Sequence, residues 1–440
     1  MALDTPATSL AARDPLDLST SRDAALAARS TVRKVKSPNL VVLGGANRDV
    51  NLRVRALPLA GETVAAEKAV IYHGGKGANQ AVQAALLMRR DCGDPAVNDE
   101  ASKKKHLTQT GGKVALICKL GDDDTGEAYR RYLEGVGIDM TGVLTAQGEP
   151  TGCAYVTVAE DAENTIVFDP GANACLTAED IRNPRITELI QNAKIFVCEN
   201  GIRPDVVVTA LKLAKSSPEK VLTVFTPAPV ASVPLEAFAY ADYVVVNENE
   251  ARQMYNLAPV TKTQDSAGNV FEERESSDDE WPSLGAGGAS ASVFPSPAAL
   301  RAKLIQLGQK ATTVQGPESG AGSESGEQTR VSGERIRAEC NVIVTQGKDG
   351  CTVIRQKESG HRRVSIQHLE QKRRVPPEQV VDTVGAGDAF CGALAYFLGE
   401  EELSVNEAIE KAGIVASFSV QKRGANESYA GRETLRGTVF

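Results

Sequence analysis

The amino-acid sequence predicts an α/β fold in which a mostly parallel sheet is flanked by helices and is accompanied by a small second sheet that acts as a lid. From residue 39 onward, short runs of β-branched residues alternate with helical patterns, which is typical of a sheet covered on both faces. Two further stretches alternate apolar and polar residues, as antiparallel strands with one exposed face do. We therefore expect one domain over residues 39–440, preceded by a disordered leader at 1–38.

The clearest strands are short apolar runs, and each is followed directly by polar residues or glycine. They are Leu40–Leu43, Val114–Cys118, Ile195–Cys198, Val221–Phe225, Tyr243–Val246 and Val342–Thr345. Ligands of open α/β sheets bind just beyond the carboxyl ends of the strands. We therefore expect the polar residues that follow these runs to form a site.

The alternating stretches at about residues 50–71 and 151–168 are predicted to be the strands of the lid. A lid over a reaction site excludes water, and it could also join two copies of the chain.

Three other segments, at about 91–112, 259–294 and 311–337, are polar or rich in Gly, Ser and Glu, and we interpret them as disordered insertions. Ser296 and Pro297 predict the start of a helix over Ala298–Leu307, where the scaffold resumes between the last two insertions.

Composition argues against several functional classes. The net charge is −8 and no basic stripe with interleaved aromatic residues appears, so nucleic acid is not an expected partner. No apolar run approaches the roughly 20 residues that span a bilayer. The 8 cysteines are scattered without a C-x-x-C pair, as in a reduced intracellular protein, and the 4 histidines show no zinc-ligand spacing. Acidic residues in the leader disfavour a transit peptide, so a cytoplasmic location is expected.

The most informative segment is the glycine-rich run Asp382–Asp388, which leads into an apolar helix. Small residues allow backbone N–H groups to approach a phosphate, and the positive end of the helix favours negative charge at the same point. A carboxylate there would normally repel phosphate, so Asp388 is interpreted as a base that takes a proton from an acceptor hydroxyl. A simple glycine turn with Asp as helix cap remains an alternative for this segment alone.

A second glycine-rich turn, Gly74–Ala81, precedes a predicted helix over Ala81–Met88. Its glycines permit close backbone approach, and Asn79 offers both a donor and an acceptor to a polyhydroxyl ligand. The P-loop spacing is absent, so Lys76 is not given the role of a P-loop lysine. Alone, this turn could equally be structural.

Together, these two segments resemble the PfkB family of carbohydrate and nucleoside kinases, and in detail its ribokinase branch. The resemblance extends over about residues 39–428 apart from the insertions. It is supported by Gly44–Asp49, Pro58–Val64, Thr151-Gly152 with Asp169–Asn173, Asn247–Glu250, Thr345–Gly350 and Lys422–Ala425.

The resemblance implies a ribokinase-like (Rossmann-like) fold and transfer of the γ-phosphoryl group of ATP to a sugar hydroxymethyl oxygen, which is O5 of D-ribose in the ribokinase branch. Asp388 would be the general base. The residues implied to hold the sugar are Asn47, Asp49, Gly75, Lys76, Asn79, Glu199 and Asp388. Those implied to contact ATP are Asn247, Thr345, Gly347, Gly385, Ala386 and Gly387.

The same resemblance implies Mg2+ as cofactor and K+ as activator. Glu250 would organise Mg2+ through water, because Mg2+ in phosphoryl transfer keeps much of its hydration. Asp382, Val384 and Ser428 would hold K+, mostly through backbone oxygens. D-ribose and ATP are the implied small-molecule partners, and a second copy of the chain is implied at the lid.

Two departures from the family pattern leave details open, since Val384 stands where many ribokinases carry Thr and Gly413 falls where some members place a polar residue. Another sugar or nucleoside kinase of the family is one alternative. A non-catalytic sugar sensor is a second, although a pure binder would need no base.

The first insertion joins a helix to the next strand. We therefore expect it to lie at the amino ends of the strands, opposite the site. Shortening residues 91–112, or likewise 311–337, should leave turnover largely intact in a steady-state assay. A shortened protein that is folded but inactive would contradict this placement.

Overall fold

The computed structural model describes residues 38–89, 114–161, 163–255, 260–264, 270–274, 340–356 and 364–440. The predictions for residues 1–37, 91–112, 298–307 and 311–337 lie outside the described residues.

The main sheet contains nine strands. They are β1 (Leu40–Leu43), β4 (Val114–Gly121), β5 (Val143–Ala146), β8 (Ile195–Glu199), β9 (Leu222–Thr226), β10 (Tyr243–Asn247), β13 (Asn341–Thr345), β14 (Cys351–Gln356) and β15 (Val364–Leu369). Their order is β15-β14-β13-β10-β9-β8-β1-β4-β5, and only the pairs β13–β14 and β14–β15 are antiparallel. The predicted mostly parallel sheet is confirmed, and every predicted strand lies within two or three residues of its observed bounds.

Helices cover both faces of this sheet. They are α1 (Lys76–Met88), α2 (Asp124–Val136), α3 (Ala178–Arg182), α4 (Pro184–Gln191), α5 (Pro204–Lys215), α6 (Glu248–Tyr255), α7 (Ala386–Gly399) and α8 (Val405–Ser419). Successive side chains of a strand point to opposite faces, so Leu40 and Val42 of β1 pack in the core beneath α1, α2, α7 and α8. Val41 and Leu43 pack in the second core, beneath α3 to α6.

Helix bounds follow local capping chemistry. The Asp123 carboxylate accepts the N–H of Gly126 at 2.8 Å at the start of α2, and Gly137 ends that helix in the left-handed conformation with φ 93°. Ser404 and Glu407 form a reciprocal capping box at the start of α8. Among the described residues, no helix has the length and apolar character needed to cross a membrane.

The lid is a separate four-stranded sheet in the order β3-β2-β6-β7. Its strands are β2 (Asn47–Arg53), β3 (Lys68–Gly74), β6 (Cys153–Val158) and β7 (Asn164–Asp169). The two hairpins are antiparallel as predicted, but β2 and β6 pair in parallel, which joins the hairpins into one sheet. Because β2 begins at Asn47, the polar residues Asn47 and Asp49 are themselves part of the lid.

One prediction of local structure was wrong. Helix α1 begins at Lys76 rather than Ala81, because Gly75 caps it with φ 90° and residues 76–80 already form its first turns. Of the segment 259–294, the structure describes only β11 (Val260–Gln264) and β12 (Val270–Arg274), which pair as an antiparallel ribbon, and the rest of this predicted insertion lies outside the described residues.

Helices α1 and α7 approach each other closely at Gly392. A Cβ atom added to Gly392 would lie 2.3 Å from the carbonyl oxygen of Gln80 and 3.0 Å from Cβ of Gln83. The backbones can therefore reach this distance only because residue 392 has no side chain.

Gly392→Ala should lower the free energy of unfolding by about 1–3 kcal/mol, because the two helices must separate to admit the methyl group. Gly135→Ala is the matched control, since Gly135 is an exposed helical glycine whose added Cβ would meet nothing within 4 Å. The control should gain about 0.5–1 kcal/mol from helix propensity. Urea denaturation of both variants measures the difference, and equal effects would contradict the close packing.

Candidate active site

Residues from both halves of the chain meet in a cavity beyond the carboxyl ends of the central strands. Its lining includes Lys76, Gln80, Thr226, Asn247, Glu250, Thr345, Gly385, Gly387 and Asp388. The sheet topology explains this convergence, because β9, β10 and β13 are parallel neighbours that end at the same edge. Most residues predicted for phosphate transfer thus line one space.

Asp388 lies in the first turn of α7 and is held by two consecutive side chains of α1. The Asn79 amide donates to Oδ2 of Asp388 at 2.9 Å, and the Gln80 amide donates to Oδ1 at 3.0 Å. Both amide side chains are buried, and Oδ1 of Asn79 has no hydrogen-bond partner. An unpartnered buried acceptor beside a carboxylate is suited to a ligand hydroxyl.

Glu199 is buried at the end of β8, where its oxygens accept N–H groups from Gly45, at 2.6 Å, and from Gly201. Burial raises the pKa of Glu199 to about 7, against the lowering effect of those two N–H groups and of Lys76. A Cβ atom on Gly44 would lie 2.3 Å from Oε1 of Glu199, so the glycine pair at 44–45 makes room for this carboxylate.

Asn47 is positioned by a residue to which sequence reasoning assigned no role. The buried Asn173 amide donates to Oδ1 of Asn47 at 2.8 Å, and its own Oδ1 accepts the N–H of Ala46 at 3.0 Å. Asn173 also donates to the carbonyl of Pro170 at 3.0 Å. The loop after the last lid strand therefore holds the start of the first lid strand in place.

Asp49 lies on the lid strand β2, opposite Tyr72 of β3. Its carboxylate contacts the Cα of Gly74, since a Cβ there would lie 1.9 Å from Oδ2 of Asp49. Burial raises the pKa of Asp49 to about 7, and the negative charge of Glu427 adds to the rise. The carboxylate can therefore gain or lose a proton near neutrality.

Lys76 is a cation among several carboxylates. Its pKa is raised first by Asp388 and further by Glu199, Glu250 and Asp49, which outweigh the opposing effect of burial. The ammonium group therefore stays protonated and can compensate anionic charge in the cavity.

The start of α7 has the backbone geometry expected of an anion site. Gly385 caps the helix with φ 77°, and its carbonyl accepts the Tyr429 hydroxyl at 2.9 Å. The N–H of Ala386, which is predicted to contact phosphate, already donates a long hydrogen bond of 3.3 Å to the carbonyl oxygen of Thr383. The cavity wall is formed by Gly385 and Gly387.

A second cavity adjoins the first and shares Thr345 and Gly387 with it. Its other lining residues are mainly apolar or glycine, and they include Gly347, Ala386, Leu369, Phe390, Ile409, Gly413 and Ala416. The predicted nucleotide residues Thr345, Gly347 and Ala386 therefore border a space suited to a flat apolar ring.

Asn247 and Glu250 fix each other at the start of α6. Oδ1 of Asn247 accepts the N–H of Glu250 at 2.8 Å, and the Glu250 carboxylate accepts the N–H of Asn247 at 2.9 Å. The Glu250 carboxylate lines the cavity that contains Asp388. Carboxylate oxygen is the donor that Mg2+ prefers, so this position fits an ion held through water.

The residues predicted for K+ lie in two loops that are tied together. The Asp382 carboxylate accepts the N–H of Val384 at 3.0 Å and that of Gly424 at 3.0 Å. Ser428, in the second loop, is buried and donates to the carbonyl of Ala425 at 2.6 Å. The two loops that carry the residues predicted for K+ are therefore held side by side.

Four contributing residues had no role in the sequence analysis: Gln80, Asn173, Glu427 and Tyr429. Gln80 carried a usable signal, because it is one of the few polar residues in the apolar helix Lys76–Met88. Glu427 and Tyr429 act through contacts with distant segments and carried no comparable signal.

A helix N-terminus, a protonated lysine and a carboxylate in one cavity are the kinds of groups by which phosphoryl-transfer enzymes neutralise charge and orient the attacking hydroxyl. The sequence profile of the pfkB family carbohydrate kinases matches residues 37–292 and 303–430. The chain therefore belongs to this family.

Individual relatives agree with that assignment. The chain is 27% identical to a ribokinase of Dictyostelium discoideum over 393 residues, which cover 89% of this chain and 97% of the relative. It is 28% identical to a ribokinase of Mus musculus, with 91% of this chain and 94% of the relative covered. The structure of Arabidopsis thaliana ribokinase complexed with ribose and ATP has a TM-score of 0.60 at 23% identity and covers 91% and 97% of the two chains. The ribokinase-like fold is thus confirmed.

Proposed function

We propose that this protein is a ribokinase that transfers the γ-phosphoryl group of ATP to O5 of D-ribose, giving D-ribose 5-phosphate and ADP. The observation that carries the proposal is the position of Asp388. Its carboxylate lies at the N-terminus of α7, where phosphate would bind, and it also contacts Asn79, whose free Oδ1 is suited to a sugar hydroxyl.

In this reaction Asp388 accepts the proton of the acceptor hydroxyl as the oxygen attacks the γ-phosphorus. The bond from that phosphorus to the β,γ-bridging oxygen breaks, and ADP leaves with the bonding electrons. Lys76 and the first backbone N–H groups of α7 stabilise the charge on the transferring group. Most of the rate enhancement comes from positioning and charge neutralisation rather than from a covalent intermediate.

The proposed sugar subsite is rich in fixed polar groups. Asn47, Asp49, Asn79 and Glu199 surround the glycine turn at 74–75, and Glu199 and Asn79 are buried. Polar groups that lose water on ligand binding cost about 1–3 kcal/mol each if they stay unpaired. Such a subsite favours a polyhydroxyl acceptor whose hydroxyls match it, and another sugar or a nucleoside is the alternative acceptor.

The nucleotide is proposed to place its base in the apolar cavity near Gly413 and its phosphates near Thr345, Gly347 and Gly387. Mg2+, organised by Glu250 through water, would neutralise phosphate charge. Within the described ranges no three His, Cys, Asp or Glu side chains form a group that could hold a metal ion. Asp382, Val384 and Ser428 are proposed to bind K+.

The lid is also proposed to form a homodimer interface. Ile71, Val50, Tyr155 and Val167 are cross-strand neighbours over all four lid strands. Ile71, Tyr155 and Val167 are 56%, 48% and 69% exposed. This apolar row lies on the face opposite Asp49, so a second copy could cover it without filling the sugar subsite.

We propose a cytoplasmic location on sequence grounds alone.

Asp388→Asn should keep the fold and lower turnover by a factor of about 10² or more, because the amide cannot accept the proton. A coupled assay of ADP release with ATP and Mg2+ over D-ribose, 2-deoxyribose, fructose and adenosine, with and without K+, measures both acceptor and base. Preference for D-ribose with stimulation by K+ supports the proposal. Near-normal kcat in the variant would reject Asp388 as the base, and ribose binding without turnover would favour a sensor.

Sugar affinity should depend on pH through Asp49. Its pKa is raised to about 7, so ribose binding should weaken as the pH falls through 7 and the carboxylate takes up a proton. Glu427→Gln removes a negative charge that contributes to this rise, so the loss of affinity should begin at lower pH. Calorimetric titration with ribose in the absence of ATP measures the dissociation constant without involving the chemical step.

Two controls separate the titrating groups. Burial also raises the pKa of Glu199 to about 7. The pH dependence of ribose affinity that remains in Asp49→Asn is therefore the contribution of Glu199. Glu134→Gln, at an exposed position of α2, should leave the pH dependence unchanged. An unshifted profile in Glu427→Gln would exclude the proposed influence on Asp49.

A further inference from the structure

Gln80 contacts the proposed base although it lies outside the sugar and nucleotide residues assigned above. Its side chain is 1% exposed, and its Nε2 lies 3.0 Å from Oδ1 of Asp388. Asn79 occupies the other oxygen of the same carboxylate at 2.9 Å. The carboxylate is therefore held at both oxygens by neighbouring residues of one rigid helix.

A chain of hydrogen bonds fixes which end of the Gln80 amide faces Asp388. Nε2 also lies 3.4 Å from Oγ1 of Thr226, and Oγ1 of Thr226 lies 3.4 Å from the carbonyl oxygen of Cys198. The Thr226 hydroxyl proton serves that carbonyl, so its lone pair accepts the second amide proton of Gln80. With the amide reversed, its oxygen would face the Asp388 carboxylate and be repelled.

The backbone holds this contact at a set distance. Gly392 lies one turn after Asp388 in α7, and a Cβ atom added to it would lie 2.3 Å from the Gln80 carbonyl oxygen. The two helices therefore meet at Gln80 itself, and the side-chain contact cannot lengthen without moving a helix.

We propose that Gln80 is a positioning residue for Asp388, which it orients for proton transfer through one amide N–H. This inference rests on the proposed phosphoryl transfer. An N–H bond to one oxygen fixes the rotation of the carboxylate, so the lone pair that takes the proton keeps its direction toward the acceptor hydroxyl.

Gln83 provides a matched control on the same helix. It is 0% exposed and donates one amide bond, at 3.0 Å, to the carbonyl of Ala430. It also has an unpartnered amide oxygen, as Gln80 does. Replacing either glutamine by methionine removes one buried amide of the same size, but only Gln80 donates to Asp388.

The test compares Gln80→Met with Gln83→Met in the full-length protein, using whichever acceptor the unmodified protein phosphorylates. Gln80→Met should lower kcat about tenfold or more, with KM for the sugar changed less than about twofold, because the base is misplaced while the sugar contacts remain. Gln83→Met should leave both kcat and KM unchanged.

Other charged and titratable groups near Asp388 are the same in both variants, so they cannot produce the difference. They are Lys76 of α1, Asp49 of β2, Glu199 of β8, Cys391 of α7 and Tyr429 of the C-terminal loop. Gln80→Glu keeps the side-chain length but places a carboxylate oxygen against Asp388, so it should lose more activity than Gln80→Met. Equal kcat in Gln80→Met and Gln83→Met, or an active Gln80→Glu, would overturn the proposal.

A second readout does not depend on turnover. The changes in unfolding free energy of Gln80→Met and Asp388→Asn should be non-additive in the double variant, whereas those of Gln83→Met and Asp388→Asn should add. If the unmodified protein phosphorylates no acceptor, the proposed function fails, and this cycle still decides whether Gln80 and Asp388 interact. Additivity for both pairs would reject the contact.

Discussion

The packing of α1 against α7 is the constraint on which the rest of the candidate site depends. Gly392 lets the two backbones approach, and the buried amides of Asn79 and Gln80 then reach the Asp388 carboxylate. Since α1 begins immediately after the lid strand β3, the same contact relates the lid to the start of α7. Asn79, which is proposed to bind the sugar, and Asp388, the proposed base, are thereby held by one pair of helices.

The electrostatics follow from placing several acids around one lysine. Lys76 is influenced by Asp388, Glu199, Glu250 and Asp49, and two of these acids have a pKa of about 7 because burial disfavours their charge. A polar ligand and a phosphate would supply hydrogen-bond and charge partners to these buried groups. Buried acids with raised pKa values are typical of sites that serve binding and chemistry rather than stability.

Much of the fold could be predicted from the sequence, because strand runs and glycine turns are local signals. Leu40–Leu43 was predicted to the residue, and the lid strands were found where apolar and polar residues alternate. The start of α1 was misplaced, because a glycine-rich string reads as a turn although only Gly75 needs a positive φ. The parallel pairing of β2 with β6 joins distant segments, so no local pattern could indicate it.

The sequence by itself determined the class of protein, since the glycine turns, the strand-end polar residues and Asp388 lie in contiguous motifs. Only the tertiary structure decided how these groups are supported. Gln80 and Asp388 are 308 residues apart, and Asn173 is 126 residues from Asn47. Whether such side chains meet depends on how close two helices or two loops pack, and that distance is set by the whole core rather than by any local run of residues.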